Sequence, residues 1–360
     1  MKKNFNTVFR LLLFVSIGVG LFYYIYQEQA AQYLNFCISQ GNLEGNCSLV
    51  DKVRSDLRNA YLPYLILTLV FYFISNISRA IRWRLLVEAE GGEIRLLNTF
   101  LATMVGYCAN LAIPRFGEFV RAGLLARYER IDPARVMGTV VTDRLLDLLC
   151  LLLIFGLGMI LASGQIVDYL QTNAQFPEVS YFGIFGLILV LLLISVLVVF
   201  LVIMCKDHRL IVSIRTKIKS FILGIMSIRE VKNYRLLVFH SINIWLMYFL
   251  MTFFPLLSFE ATSHLGPIAG LLVFIFGGLG MVLPAPGGIG TFHAMVIAGL
   301  SIYGISGPDA FSVAMIIFLA INICVNLLMG IVSIIILPMV NKHYHPNRTH
   351  VRGYTSQQTH

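Results

Sequence analysis

Gly-Tyr-Cys-Ala-Asn-Leu-Ala-Ile-Pro-Arg-Phe-Gly-Glu-Phe-Val-Arg, from Gly106 to Arg121, is an apolar segment broken in its middle by Pro114 and Gly117. A second stretch has the same character: Gly-Leu-Gly-Met-Val-Leu-Pro-Ala-Pro-Gly-Gly-Ile-Gly-Thr-Phe, from Gly278 to Phe292. Proline removes a backbone donor and glycine loosens a helix, so each break frees carbonyls and amides. At bilayer depth such groups are tolerated only inside protein or beside a wet cavity. Two breaks in corresponding halves of a chain point to a transporter-like binding site.

The surrounding sequence sets these breaks in a membrane. The chain has 360 residues, 58% hydrophobic and 12% charged, with mean hydropathy +0.81. Soluble domains carry about 25% charged residues. A crossing helix takes about 20 apolar residues. Such runs predict full spans near Val8–Tyr26, Tyr61–Ile81, Met137–Leu161, Tyr181–Met204, Leu236–Ser258 and Ala310–Leu337, with the broken segments at Leu97–Arg127 and Gly266–Tyr303. Lys2 and Lys3 before the first run resemble a signal peptide, but the run is long and no small-residue cleavage pattern follows, so it reads as a retained span. These runs and their connectors leave no room for an ordinary soluble catalytic domain.

Lys and Arg placement sets the expected orientation. Lys2, Lys3 and Arg10 place the N-terminus in the cytoplasm, and the acid-rich stretch from Gln27 to Ala60 falls outside. Arg79, Arg82, Arg84 and Arg95 are inside, as are Arg115, Arg121, Arg127, Arg130 and Arg135. Asp168 and Glu178 mark an outer loop, the basic stretch Cys205–Arg235 an inner one, and the tail with Lys342, Arg348 and Arg352 is inside. The first broken segment therefore starts and ends inside and the second starts and ends outside. The fold class is an all-α polytopic membrane protein: about six full spans plus two broken or re-entrant helix pairs in an inverted repeat. Residues 1–60 form the first span and an extracytoplasmic loop, 61–340 the main transmembrane domain, and 341–360 a disordered cytoplasmic tail.

The net charge of +9 follows this topology, so nucleic acid is not expected as a partner. Ile211, Ile214, Ile218, Phe221 and Ile222 fall at helical spacing among bases, the pattern of an interfacial helix or of an ordinary inner loop. Cys108, Cys150, Cys205 and Cys324 belong to apolar runs. Cys37 and Cys47 share the outer loop, and their spacing alone leaves a disulfide open.

Charged residues inside spans are functional candidates by default. Glu118 and Arg121 lie three apart after the first break and share a helix face, with Arg115 one turn before them. Guanidinium groups in a partly buried site suit a phosphate. Thr142-Asp143-Arg144-Leu-Leu-Asp147 adds an Arg144–Asp147 pair early in its span, where Asp143 reads as a helix-start acid. Arg79, Arg82 and Trp83 end the second span, as an interfacial anchor or a headgroup contact. Gly287, Gly288 and Gly290 permit tight turns and close approach of a ligand, and Thr291 would open a short helix whose amides suit an anion. Asn110 is placed to bond freed backbone or substrate, and His293 reads as a hydrogen-bonded packing residue. There is no Walker motif, nucleophile–base motif or metal-ligand spacing, so no cofactor and no metal are expected.

Asn110…Pro114-Arg115-Phe116-Gly117-Glu118-Phe119-Val120-Arg121, Arg144-Leu-Leu-Asp147, Pro284-Ala-Pro-Gly-Gly-Ile-Gly290 and Arg79-Ala-Ile-Arg82-Trp83 together resemble the lysylphosphatidylglycerol synthase transmembrane-region family. This flippase-like family includes the membrane region of multiple peptide resistance factors. The resemblance covers roughly Tyr61 to Leu337. It implies movement of a lipid between leaflets of the bacterial inner membrane, not synthesis, since the chain ends soon after its last span. Many relatives carry an acid where this chain has His293, which favours an anionic lipid or a lipid-linked phosphate over a cationic aminolipid. Arg115, Arg121 and Arg144, with Arg82, would then hold phosphate, while Glu118 and Asp147 organise them or bind a cation. The alternatives are an intramembrane enzyme acting on a lipid-phosphate and an accessory subunit of a lipid-modifying system.

Overall fold

The computed structural model of the chain describes residues 2–40, 47–89, 93–113, 115–173, 231–283, 285–305 and 307–346. The span expected at Tyr181–Met204, Glu178, the interfacial pattern at Ile211–Ile222, Cys205, Pro114, Pro284, Arg348 and Arg352 lie outside the described residues. Every regular element among the described residues is helical: α1 (Lys2–Ser39), α2 (Leu49–Asn59), α3 (Leu62–Ala89), α4 (Leu96–Ala112), α5 (Phe116–Glu129), α6 (Pro133–Leu161), α7 (Ser163–Asn173), α8 (Tyr234–Leu256), α9 (Pro267–Val282), α10 (Thr291–Ser301) and α11 (Gly307–Phe318). α11 runs through a π-helical stretch, Leu319–Leu327, into α12 (Leu328–Val340). Among the described residues, four helices are long and apolar enough to cross a membrane: α3, α6, α8 and the α11–α12 unit. The expected first span lies within α1.

Both broken segments are helical hairpins. Their arms hold 17, 14, 16 and 11 residues. At 1.5 Å per residue that is ~17–25 Å each, short of the ~30 Å hydrocarbon core. In the first hairpin the arms cross at Gly106 and Gly117. A Cβ on Gly106 would stand 2.8 Å from the Gly117 carbonyl oxygen, and one on Gly117 would run into the Gly106 carbonyl. The Gly117 amide, freed by the break, donates to Asn110 Oδ1 at 2.7 Å. In the second hairpin the crossing pair is Gly280 and Thr291, and Thr291 Oγ1 donates to the Gly280 carbonyl at 2.8 Å. In each hairpin the crossing residues lie eleven apart, and one polar side chain satisfies a backbone group at the crossing.

The hairpins enter the bundle from opposite ends. α3 and α8 run antiparallel: the Tyr61 amide donates to the Ser258 carbonyl at one end, and Asn243 Nδ2 donates to Ser78 Oγ further along. The first hairpin follows the Ala89 end of α3; the second follows the Leu256 end of α8, which lies beside the Leu62 end of α3. Their tips meet. Arg115 Nη2 donates to the Val282 carbonyl at 3.4 Å, and Gly287, at φ +57°, leaves only 2.9 Å between an added Cβ and Leu111. The order long helix, hairpin, long helix thus occurs twice, as α3–α6 and as α8–α12, in opposite senses.

Polar ties close the two ends. At the Leu62 end of α3, Lys52 bridges Asp309 at 2.7 Å and Asp56 at 2.9 Å. Burial pulls its ammonium pKa down, but the hydrogen bonds to Asp309 and Asp56 outweigh that and leave it raised. Cys37 and Cys47 form a disulfide with Cα atoms 5.8 Å apart, which closes the question their spacing left open. At the Ala89 end, the buried Glu129 accepts from Asn98 Nδ2 at 2.6 Å and from Tyr344 Oη at 2.9 Å. Asn98 and Asn341 exchange amide hydrogen bonds, joining the first hairpin to the end of α12. Burial, then the bond to Glu129, pushes the Tyr344 hydroxyl up to about 12.

Two outcomes follow for stability. Gly117→Val forces a clash at the hairpin crossing and is expected to cost about 1–3 kcal/mol or more, whereas Gly123→Ala, with nothing within 4 Å of its added Cβ, is expected to stay near wild type. Thermal unfolding in detergent checks both. Tyr344 is less acidic folded than unfolded, so its contribution is present below pH 10 and is lost as pH rises towards about 12. Alkaline unfolding of Tyr344→Phe should lack that loss.

Candidate functional site

α3, α5 and α6 bring seven charged side chains into one network. On α3, Arg79 and Arg82 lie three apart and share a face. On α6, Asp143 and Asp147 lie four apart and share a face. The two rows meet. Arg82 donates from Nε and Nη2 to Asp143 Oδ1 at 2.9 and 2.6 Å, and from Nη2 to Asp147 Oδ1 at 2.6 Å. Arg79 grips Asp147 with both terminal nitrogens, at 2.8 and 3.4 Å. From α5, Arg121 Nη2 donates to Asp143 Oδ2 at 3.0 Å while its guanidinium lies over the Trp83 ring, 4.7 Å from the centroid. Trp83 is fixed in turn by donating from Nε1 to Thr139 Oγ1.

This network is deep. At 1.5 Å per residue, Arg82 and Arg79 sit ~10 and ~15 Å from the Ala89 end of α3, and Asp143 and Asp147 ~15 and ~21 Å from the Pro133 end of α6. Arg79, Arg82, Arg121, Asp143 and Asp147 are all buried, Arg82 and Asp143 completely. Bare charges at such depth are expensive, and pairing with aligned hydrogen bonds is what makes them tolerable.

The outer edge is different. Arg144 and Glu118 approach to 2.8 Å, with side chains 38% and 23% exposed, and their contact is charge against charge without hydrogen-bond alignment. Beside them Phe116 and Phe119 are exposed. Arg144 also stands 3.6 Å from Asp147, so the edge pair is wired to the buried core. The balance among the described residues is uneven: four guanidinium groups face three carboxylates. Arg121, only 2% exposed, has Nε and Nη1 without a hydrogen-bond partner among the described residues, as has Arg82 Nη1. A monoanion with several oxygens would answer both shortages.

The residues expected from the sequence sort into three places. Glu118, Arg121, Arg144, Asp147 and Arg82 come together, with changed partners: Glu118 serves Arg144, not Arg121, and Asp147 is held mainly by Arg79 and Arg82. Arg115 does not join them. It precedes α5 with φ +63°, off the helical face it was expected to share, and reaches the second break instead. Asn110 satisfies the Gly117 amide, which is the backbone role of the two expected for it. Gly287, Gly288 and Gly290 have positive φ as expected, but Leu111, Met281 and the backbone of α1 at Gly18 stand where the close approach of a ligand was expected. His293 packs among Phe22, Phe292, Phe311 and Phe318 without the expected hydrogen bond among the described residues.

Sequence reasoning passed over Asp143, taken as a helix-start acid, and gave Arg79 an anchoring role. The signal was present: two Arg on one face of α3 and two Asp on one face of α6 are complementary rows. Among the described residues, no group of His, Cys, Asp and Glu has the arrangement of a metal site.

The profile of the lysylphosphatidylglycerol synthase TM region matches residues 48–329. The chain belongs to this family. All seven residues of the network fall inside the matched region of the lysylphosphatidylglycerol synthase TM family, as do both hairpins. A UPF0104 membrane protein of Methanocaldococcus jannaschii is 28% identical over 127 residues, 34% of this chain and 38% of that protein. The chain thus matches little more than a third of that relative's length. No solved structure matches the chain.

Loss of one buried partner and loss of one edge partner should differ in cost. Asp143→Asn strips Arg82 and Arg121 of a shared counter-ion and is expected to destabilise by about 3–5 kcal/mol. Glu118→Gln, at the half-exposed edge, is expected to cost about 1 kcal/mol or less. Thermal unfolding in detergent compares them.

Proposed function

We propose that this protein is a lipid transporter that moves a phospholipid or lipid-linked phosphate headgroup between leaflets of the bacterial cytoplasmic membrane, with both termini in the cytoplasm. One observation carries the reading: among the described residues, Arg121 is a buried guanidinium with unmet N–H groups, in a network one negative charge short. A phosphodiester is a monoanion with two free oxygens, and it fits that deficit. A soluble phosphate would have little reason to bind so far inside an apolar bundle, whereas a lipid keeps its tails in the membrane while its headgroup enters.

The route in is the Glu118–Arg144 edge. An entering phosphate competes with Glu118 for Arg144 and then reaches Arg121. Glu118 lies in the first turn of α5, next to the hairpin tip, so its release loosens the tip where the two hairpins touch. Rocking of one repeat against the other then changes which face the headgroup sees. The Cys37–Cys47 disulfide supports an extracytoplasmic position for the loop after α1, and hence this orientation. The family is named for lysylphosphatidylglycerol, and the phosphodiester of that lipid, though not its cationic lysyl group, matches the anion the site is short of.

The test compares the purified wild type with Arg121→Ala and Glu118→Gln. Native mass spectrometry should find an anionic phospholipid class retained by wild type and depleted in Arg121→Ala. Transbilayer movement of that lipid in proteoliposomes should be abolished in both variants. Wild-type transport in both would remove the site from the function.

A further inference from the structure

α3 carries a second polar stretch that the arginine network does not use. Thr68, Tyr72, Ser75 and Asn76 are buried and continue the face of Arg79 and Arg82 at three- and four-residue spacing. Polar side chains inside a membrane bundle serve their own backbone, tie helices together or mark a path. Thr68 and Ser75 do the first, donating to the Tyr64 and Tyr72 carbonyls. Tyr72 does not fit that account, and Asn76 fits it only in part. Tyr72 Oη reaches across the bundle to Asn326 Oδ1 at 2.5 Å. Asn76 uses Nδ2 on the Tyr72 carbonyl, and its buried Oδ1 has no donor among the described residues.

The partner of Tyr72 lies in an unusual place. Asn322 and Asn326 both belong to the π-helical stretch Leu319–Leu327, and Asn326 Nδ2 donates to Asn322 Oδ1 at 3.1 Å. π turns carry a geometric cost and concentrate at functional sites. This one puts two amides in the middle of an otherwise apolar span. One more hydroxyl connects it to the arginines. Tyr248 of α8 accepts from Arg79 Nε at 3.2 Å and packs against the cluster that holds Tyr72. A polar column therefore runs from Arg82 and Arg79, past Tyr248, to Tyr72, Asn326 and Asn322. Along α3 it spans ~10 to ~25 Å from the Ala89 end. Its inner half is charged and its outer half neutral.

We propose that Tyr72, Asn76, Asn322 and Asn326 form a second, uncharged station for the same headgroup, in which the unmet Asn76 Oδ1 accepts from a headgroup hydroxyl and the second N–H of the Asn76 and Asn326 amides meets phosphate oxygens after they leave the arginines. The inference rests on the transport reading above and extends it to a site with its own chemistry. A path must bind well enough to admit its cargo and weakly enough to release it. Neutral amide groups, with free N–H groups and one free acceptor among them, do this for a headgroup that a second arginine cluster would trap. The π turn supplies the amides of Asn322 and Asn326.

The experiment uses the full chain in phosphatidylcholine vesicles containing acyl-labelled fluorescent phosphatidylglycerol, with dithionite quenching to follow movement between leaflets. Native mass spectrometry of retained phosphatidylglycerol reads the arginine site separately. Asn326→Leu is expected to retain phosphatidylglycerol as wild type does while moving it about tenfold more slowly, and Tyr72→Phe about fivefold more slowly, the size expected for one or two lost hydrogen bonds. Arg121→Ala loses both retention and movement. Wild-type rates in Asn326→Leu and Tyr72→Phe overturn the second station and leave the transport reading intact. If Asn326→Leu does not fold, Tyr72→Phe alone decides, and a wild-type rate there overturns the station. Wild-type protein that neither retains nor moves the lipid overturns the transport reading and the station with it.

Discussion

A carboxylate buried at membrane depth needs cations around it, and Asp143 has three. Arg82 and Arg121 bond it directly, and Arg79 stands 3.6 Å away. Those guanidinium groups come from α3 and α5, while Asp143 itself sits on α6, so one side chain pins a long helix, a hairpin arm and a second long helix. Charges attract far more strongly in a low-dielectric interior than in water, and desolvation penalises any partner left unpaired. The network therefore fixes where α5 lies, and with it the tip of the first hairpin. Around it the apolar core is ordinary: Trp83, Val87, Ala102, Ala122, Leu125 and Val140 pack as one cluster beneath the arginines.

The hairpins solve a different problem. A chain that turns back inside a bilayer leaves amides and carbonyls with no water to bond. Asn110 and Thr291 each satisfy one such group, and glycine at each crossing lets the arms approach closely enough for that to happen. Because the tips touch at Arg115–Val282 and Leu111–Gly287, a shift in either hairpin is felt by the other. The edge pair Glu118–Arg144 lies close to that contact.

Much of the architecture was legible because its causes are local. Pro and Gly in apolar runs announce the breaks, and the base distribution orients the segments, which together imply hairpins from opposite faces. Arg121, Arg144, Glu118, Asp147 and Arg82 were legible as costly charges. Arg115 was misplaced because a positive φ at one residue rotates a side chain off its helix, and nothing in the identity of Arg115 encodes that. Gly287, Gly288 and Gly290 announced their backbone conformation correctly, but what faces a glycine is decided by segments far away in the chain. Asp143 was undervalued because an acid near a helix start has a sufficient local explanation. The π turn at Leu319–Leu327 left no trace in composition.

The sequence by itself determined that this is an all-helical membrane protein with two broken segments and a set of intramembrane charges, since hydropathy, proline, glycine and charge act through the solvent and the local backbone. Only the tertiary structure decided which charge meets which. Pairing across helices depends on rotation and depth, and a difference of one residue turns a side chain by 100° on its helix. That is why Arg121 answers to Asp143 instead of Glu118, why Glu118 is left at the edge with Arg144, and why the polar row of α3 meets two asparagines more than two hundred residues further along the chain.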